Sequence, residues 1–274
     1  MVRLTGAEVR RFCNGMFTNN ARDLPIGQGQ RTAMLDDRGR LQGVFDLFCV
    51  ADDTFVCALE GVTADAFIER YGMYMMLDDV EHETLDWQVA TVQGGSVPGW
   101  SGCSHPRDRS GLGGFDLVGP GAPLTEVLAA TGLSTLDSAS IDAVRIRAGR
   151  PRWPVDMGAK QLPHELGMRD EFLHFEKGCY LGQETINRVD VMGQVRKALC
   201  GVRIEGDELP PTGAEVRSDT GQKVGRLTSP LATADLGNIG LSVIKTPWDA
   251  PGTPLVVVDG ERTWQASASA LPFS

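Results

Sequence analysis

The sequence predicts a region of mixed helices and strands followed by a small all-β domain. Three observations lead there. Over the first two hundred or so residues, apolar positions switch repeatedly between a spacing of three to four and strict alternation. The stretch Glu205–Gly213 (EGDELPPTG) is acidic and proline-bearing, the composition of a boundary. Beyond it come short alternating stretches separated by Gly and Pro turns, the pattern of a small barrel. The expected division is therefore 1–204 and 205–274.

Residues Glu8 to Asn20 place Val9, Phe12, Met16 and Phe17 at helical spacing and predict a helix running into a turn at Thr18-Asn19-Asn20. Gln30–Leu35 and Leu41–Val50 read as strands joined by a hairpin at Asp36-Asp37-Arg38-Gly39. Thr54–Leu59 is a further strand. Thr63 is a candidate N-cap for a helix over Ala64–Tyr74, with Phe67, Tyr71 and Tyr74 on one stripe. The nearby Met73, Met75 and Met76 read as core filling. Strands are expected at Asp86–Gln93 and Gly114–Val118. The Gly94–Gly113 loop between them is expected to hold Arg107, Asp108 and Arg109 in solvent. Leu124–Ala130 reads as a helix, and Ala139–Arg147 as a helix or a strand. Gly149–Phe172 carries Pro151, Pro154 and Pro163 and is long enough without regular structure to suggest a functional loop. Ala198–Ile204 closes the first region as a strand. In the second, strands are expected at Ala214–Arg217, Lys223–Leu227, Ile239–Ile244, Leu255–Val258 and Trp264–Ala268, with a turn at Ser218–Gly221.

Composition narrows the function. No apolar run approaches the roughly 18 residues of a membrane span, and Met1 to Glu8 lacks the apolar stretch of a signal peptide. A cytoplasmic protein without membrane contact is expected. The six cysteines form no CxxC pair, and the four histidines show no ligand spacing, so no metal site is expected. A net charge of −10 argues against direct nucleic-acid binding. Within that acidic chain, Arg145, Arg147, Arg150 and Arg152 crowd together, either as a solvated strand face or as an anion-binding pocket.

The densest chemistry lies in Lys177-Gly178-Cys179-Tyr180-Leu181-Gly182-Gln183-Glu184, followed by Arg188. Two glycines flanking a cysteine suit neither a helix nor a strand, and imply close approach of backbone to a ligand or to another segment. A lone cysteine is ordinarily a small buried hydrophobe. Here Lys177, Arg188 and a helix starting near Leu181 would favour the thiolate, while Glu184 would oppose it.

Extended to Phe175–Arg188, this motif resembles that of the YgfZ-type folate-binding proteins, relatives of the glycine-cleavage T-protein (aminomethyltransferase). The lysine-glycine-cysteine core is similar to the YgfZ-type form rather than to the T-protein turn. Phe12–Asn19, Arg145–Pro151, Leu162–Glu165, Val224–Ser229 and Ala270–Phe273 resemble further family segments in the same order. The resemblance implies an α+β fold: a T-protein-like folate-binding region of ferredoxin-like pieces, then a C-terminal β-barrel. It implies tetrahydrofolate or a derivative as cofactor, and iron–sulfur enzymes or assembly proteins, including enzymes that modify tRNA, as partners. Cys179, Lys177 and Asp46 become candidate catalytic residues. Gly178, Tyr180, Gly182, Gln183, Glu184, Arg188, Arg147, Trp153 and Asn19 become candidate ligand contacts, with Trp153 or Phe115 offering a stacking face for the pterin.

Two positions qualify the resemblance. Where the family has a glutamate suited to the pterin edge, this chain has Arg147, which carries only donors. Asp46 falls where T-proteins place an aspartate beside the reactive end of the folate, and could orient an amine or relay a proton; a strand end or turn would equally explain it. A folate-dependent one-carbon transferase, and a T-protein-like scaffold without folate, stay open beside the YgfZ-type reading.

Overall fold

A computed structural model describes residues 1–193 and 195–274. The chain divides into two units, one made of Met1–Thr135 with Arg169–Asn187 and the other of Leu136–Met168 with Arg188–Ser274.

The first unit opens with β1 (Val2–Thr5), α1 (Val9–Met16), β2 (Gly29–Leu35), β3 (Leu41–Ala51), β4 (Thr54–Glu60), α2 (Ala64–Leu77) and β5 (Glu81–Thr84). These strands form an antiparallel sheet in the order β2-β3-β4-β1-β5. Then β6 (Trp87–Gln93), β7 (Cys103–Pro106) and β8 (Gly114–Pro120) make a three-stranded sheet in the order β6-β8-β7, and α3 (Gly121–Ala129) follows. The interior strand β3 is buried on both faces. Phe45, Leu47 and Cys49 point into the cluster formed with Phe12, Phe17, Phe67 and Tyr71 of the helical side. Phe48 points the opposite way, against Val56, Cys103 and Val118. Alternation along a strand therefore puts Asp46 on the Phe48 face, toward the smaller sheet.

The expected hairpin is present. The Asp36 carboxylate accepts from the backbone N–H groups of Arg38 (3.0 Å) and Arg40 (2.8 Å), which closes the turn. Thr63 caps α2 by accepting from Ala66 N–H at 3.1 Å.

Several expectations change. Helix α1 stops at Met16, because Phe17 turns extended and delivers its ring to the core. Only Met75 of the methionine group is buried; Met73 and Met76 face solvent. The 94–113 loop contains a strand, β7, and Arg107 is buried rather than solvated, with Asp108 and Arg109 half-buried. Strands β1 and β5, four residues each, escaped the sequence reading because such short elements show too little alternation.

The second unit begins with α4 (Ser138–Arg147), capped by Asp137, whose carboxylate accepts from Ser140 N–H at 2.8 Å. A single 3-10 turn covers Pro163–Leu166. Two helices then follow, α5 (Arg169–Phe172) in the first unit and α6 (Gln183–Met192), which runs from one unit into the other. The chain finishes with β9 (Lys197–Ile204), β10 (Glu215–Ser218), β11 (Lys223–Thr233), β12 (Gly237–Lys245), β13 (Pro254–Asp259) and β14 (Arg262–Ser269). All six close a barrel in the order β10-β11-β12-β9-β14-β13. The expected α+β architecture with a terminal barrel is therefore present. The barrel, however, includes β9, which the boundary at 204/205 assigned to the first region. Its apolar Cys200, Val202 and Ile204 are needed inside the barrel core.

The arginine run forms no strand face. On α4, Arg145 turns inward and donates to Asp156 (2.7 Å) and Ser229 (2.9 Å). Arg147 is half-buried and grips Asp235 with both arms at 2.7 Å.

Candidate functional site

The cysteine motif lies in the first unit, between α5 and α6, and is fastened to the C-terminal end of α1. That end and the turn after it leave carbonyls without helical partners, and the motif and the residues just before it supply donors. The Lys177 ammonium group donates to the carbonyls of Phe17 and of Asn19 (2.9 Å). Leu181 N–H donates to Gly15 O at 3.2 Å, and His174 N–H to Thr18 O at 3.2 Å. In return, the buried Asn14 amide donates to Lys177 O at 2.9 Å. The Lys177 side chain also lies over the Tyr180 ring, 4.8 Å from its centroid. Burial pushes its amine down to about 7, with only partial opposition from Cys13.

The two glycines serve different ends. Both have positive φ, +88° at Gly178 and +83° at Gly182. Gly178 has open space where a Cβ would sit, so only its backbone conformation requires glycine. At Gly182 a Cβ would lie 2.5 Å from Asp36 O, so the motif presses directly on the β2–β3 hairpin. The close approach expected from sequence is thus made to another segment of the chain. Cys179 is exposed while the other five cysteines are buried. Its expected helper turns away from it, since the Lys177 amine is engaged with the Phe17 and Asn19 carbonyls. Helix α6 starts at Gln183, later than expected, and the Gln183 side chain accepts from Tyr180 N–H at 3.3 Å. Glu184 is exposed in its first turn.

A second cluster surrounds Asp46, in the middle of β3 rather than at a strand end. Arg31 stands directly across from it on β2. Asp46 Oδ1 receives Arg107 at 3.0 Å and Arg31 at 3.4 Å, and His105 Nε2 lies 3.7 Å away. Arg31 also donates to Glu60 at 2.8 Å. Arg109 binds the fully buried Asp116 at 2.8 Å. Burial alone would raise the Asp46 carboxyl, but Arg107 and Arg31 outweigh it and hold Asp46 below the ordinary carboxylate value. The same balance, struck by Arg31 and Arg107, lowers Glu60. Burial lowers His105, leaving its imidazole neutral near pH 7, and neither ring nitrogen makes a hydrogen bond among the described residues. Burial also brings Arg107 down to about 10.

Asn19 links the two clusters. Its amide donates to Arg31 O (2.9 Å) and Glu171 O (3.2 Å), and its carbonyl oxygen accepts from Asn20 N–H at 2.8 Å. Asn19, Asp46, Lys177, Gly178, Cys179, Tyr180, Gly182, Gln183 and Glu184 all belong to the first unit, whereas Arg147, Trp153 and Arg188 belong to the second. Phe115, the alternative stacking ring, is half-buried on β8. Sequence reading missed Asn14, Arg31, Glu60, His105 and Arg107. Arg31 and Glu60 carried one available signal, a charge within or ending a strongly apolar strand.

No family model matches the chain. It is similar to a tRNA-modifying protein YgfZ of Pectobacterium atrosepticum, 25% identical over 236 residues that cover 84% of this chain and 66% of that protein. The mitochondrial iron-sulfur cluster assembly factor IBA57 of Homo sapiens is 42% identical over 103 residues, 36% of this chain and 26% of its own length. Among solved structures, the glycine cleavage system aminomethyltransferase T of Bartonella henselae shares the fold, with a TM-score of 0.81 at 16% identity over 100% of this chain and 83% of that one.

Proposed function

From the premise of a T-protein-like chain related to the YgfZ-type proteins, we propose that it binds a tetrahydrofolate-type ligand and serves iron–sulfur enzymes, tRNA-modifying enzymes among them, through the Cys179 loop. The observation that carries this reading is the loop itself. Of six free cysteines Cys179 alone is exposed, on a segment tied down through Lys177 and Gly182.

A folate head group needs hydrogen-bond partners for its pterin edge. The first unit has groups of the right kind. Asp46 Oδ2 carries none of the bonds that converge on Oδ1, and neither nitrogen of the buried His105 ring makes a hydrogen bond among the described residues. These are the residues that would hold a pterin. Arg147 is not needed for that task, being engaged with Asp235. Tetrahydrofolate, when bound, supplies nitrogens that carry one-carbon units. Asp46, held ionised by Arg107 and Arg31, would accept a hydrogen bond and orient an amine rather than give up a proton.

Titration calorimetry of the full chain with tetrahydrofolate is the first test. Binding is expected, weakened by Asp46→Asn in a variant that stays folded by circular dichroism. No binding would leave the scaffold reading. Cys179→Ser should bind the ligand normally and yet fail to restore iron–sulfur-dependent tRNA modification in a strain lacking its own counterpart. Full restoration would remove the thiol from the account. A second reading, a one-carbon transferase, draws on the shared T-protein fold and on Asp46. Formation of methylenetetrahydrofolate from an aminomethyl donor would favour it.

A further inference from the structure

Helix α2 buries Phe67, Tyr71 and Met75 against the five-stranded sheet. Its opposite face is apolar as well. Met73, Met76 and Leu77 are 69%, 75% and 73% exposed, and their spacing of i, i+3 and i+4 puts them side by side on the helix. One exposed methionine would need no explanation; three large apolar side chains in one contiguous patch do. Thioether side chains repack readily around different partners, a property suited to a docking surface.

The surroundings of the patch carry one sign of charge. Asp65, Glu69, Asp79 and Glu81 are exposed, and none makes an ion pair among the described residues. Asp78 and Glu83 are neutralised by Arg11 and Arg3. Arg70, the basic residue within the helix, reaches away to Leu35 O. Directly after the helix, β5 is the end strand of its sheet, and all four of its residues are exposed.

We propose that the outer face of α2 docks a basic amphipathic helix of a partner protein. Its apolar stripe would cover Met73, Met76 and Leu77, and its lysines or arginines would meet the carboxylate rim. Charge decides among the possible occupants. A second copy of this chain would bring its own carboxylates against these, and an anionic lipid surface would be repelled in the same way. A cationic helix satisfies both the apolar stripe and the rim. None of these residues belongs to the Cys179 loop or to the Asp46 cluster, so the inference stands independently of folate binding.

The probe is a synthetic amphipathic peptide of about 18 residues, leucine on one face and lysine on the other, titrated against the full chain by fluorescence anisotropy. Saturable binding is expected, weakened by added salt, with slowed hydrogen exchange confined to residues 64–84. The triple variant M73S/M76S/L77S leaves net charge unchanged and should lose about tenfold or more in affinity. D65N/E69Q should weaken binding and reduce its salt dependence. L112S, altering an exposed leucine elsewhere, should bind as the unaltered protein does. No binding, equal binding by the triple variant, or protection outside residues 64–84 would overturn the proposal. So would sedimentation showing a dimer that the triple variant abolishes, or binding to anionic vesicles in preference to the peptide.

Discussion

Gly182 sits so close to the carbonyl oxygen of Asp36 that a Cβ on it would lie 2.5 Å from that atom. The contact joins the cysteine motif to a hairpin almost 150 residues earlier in the chain. The glycine is therefore required twice, by its positive φ and by the lack of space.

This predicts a graded pair of substitutions. Gly178→Ala meets only the conformational penalty, about 1–2 kcal/mol. Gly182→Ala meets the same penalty and displaces the hairpin as well, so its loss of stability should be clearly larger. Urea denaturation midpoints of the two variants test the order; equal losses would contradict it.

The buried Lys177 amine predicts a pH dependence. Its folded value near 7 lies below its unfolded value near 10.5, so the unfolded chain binds more protons between those limits. Stability from this group therefore rises with pH from about 7 to about 10.5 and levels off at a minimum below 7. Lys177→Met should flatten that slope. The measurement is the difference between the two proteins' unfolding free energies across the window, in which the other titrating groups cancel.

The Asp46 cluster predicts strong coupling. Arg107→Leu leaves a buried carboxylate short of its main partner and should cost about 3–5 kcal/mol. Asp46→Asn with Arg107→Leu should cost less than the sum of the two single changes, as a double-mutant cycle would show. The Asp46 carboxyl is depressed in the folded state. Its contribution is therefore complete above its unfolded value of 3.8 and is lost as pH falls through the lower folded value.

Exposure predicts thiol reactivity. A small disulfide reagent should modify Cys179 rapidly in the native protein and reach the five buried cysteines only on denaturation. In Cys179→Ser the fast phase should vanish while the melting temperature stays unchanged.

Much of this architecture was legible because it rests on local signals. The Asp36–Gly39 turn, the Thr63 cap and the alternation of the barrel strands each follow from a few adjacent residues. The Asp46 network does not, because Arg31, Arg107 and His105 reach it from two sheets. In the sequence Arg107 lies in a Gly- and Pro-rich stretch that reads as solvated loop. Lys177 stood out in the sequence as a candidate, but not the direction of its side chain, since the carbonyls it binds lie in the turn after α1. Arg147 stood out for replacing an expected carboxylate, and nothing local revealed that Asp235 would engage it.

The division of the chain bears on how the protein is made. Residues 169–187 belong to the first unit although the second unit has already begun before them. The end of α1 and the β2–β3 hairpin must therefore wait, incompletely covered, while the intervening segment is synthesised. At typical elongation rates the wait from initiation is roughly 10–40 s. Termination before the cysteine motif would release a chain that holds both sheets of the first unit but lacks the donors that Lys177 and Leu181 bring to the Phe17, Asn19 and Gly15 carbonyls.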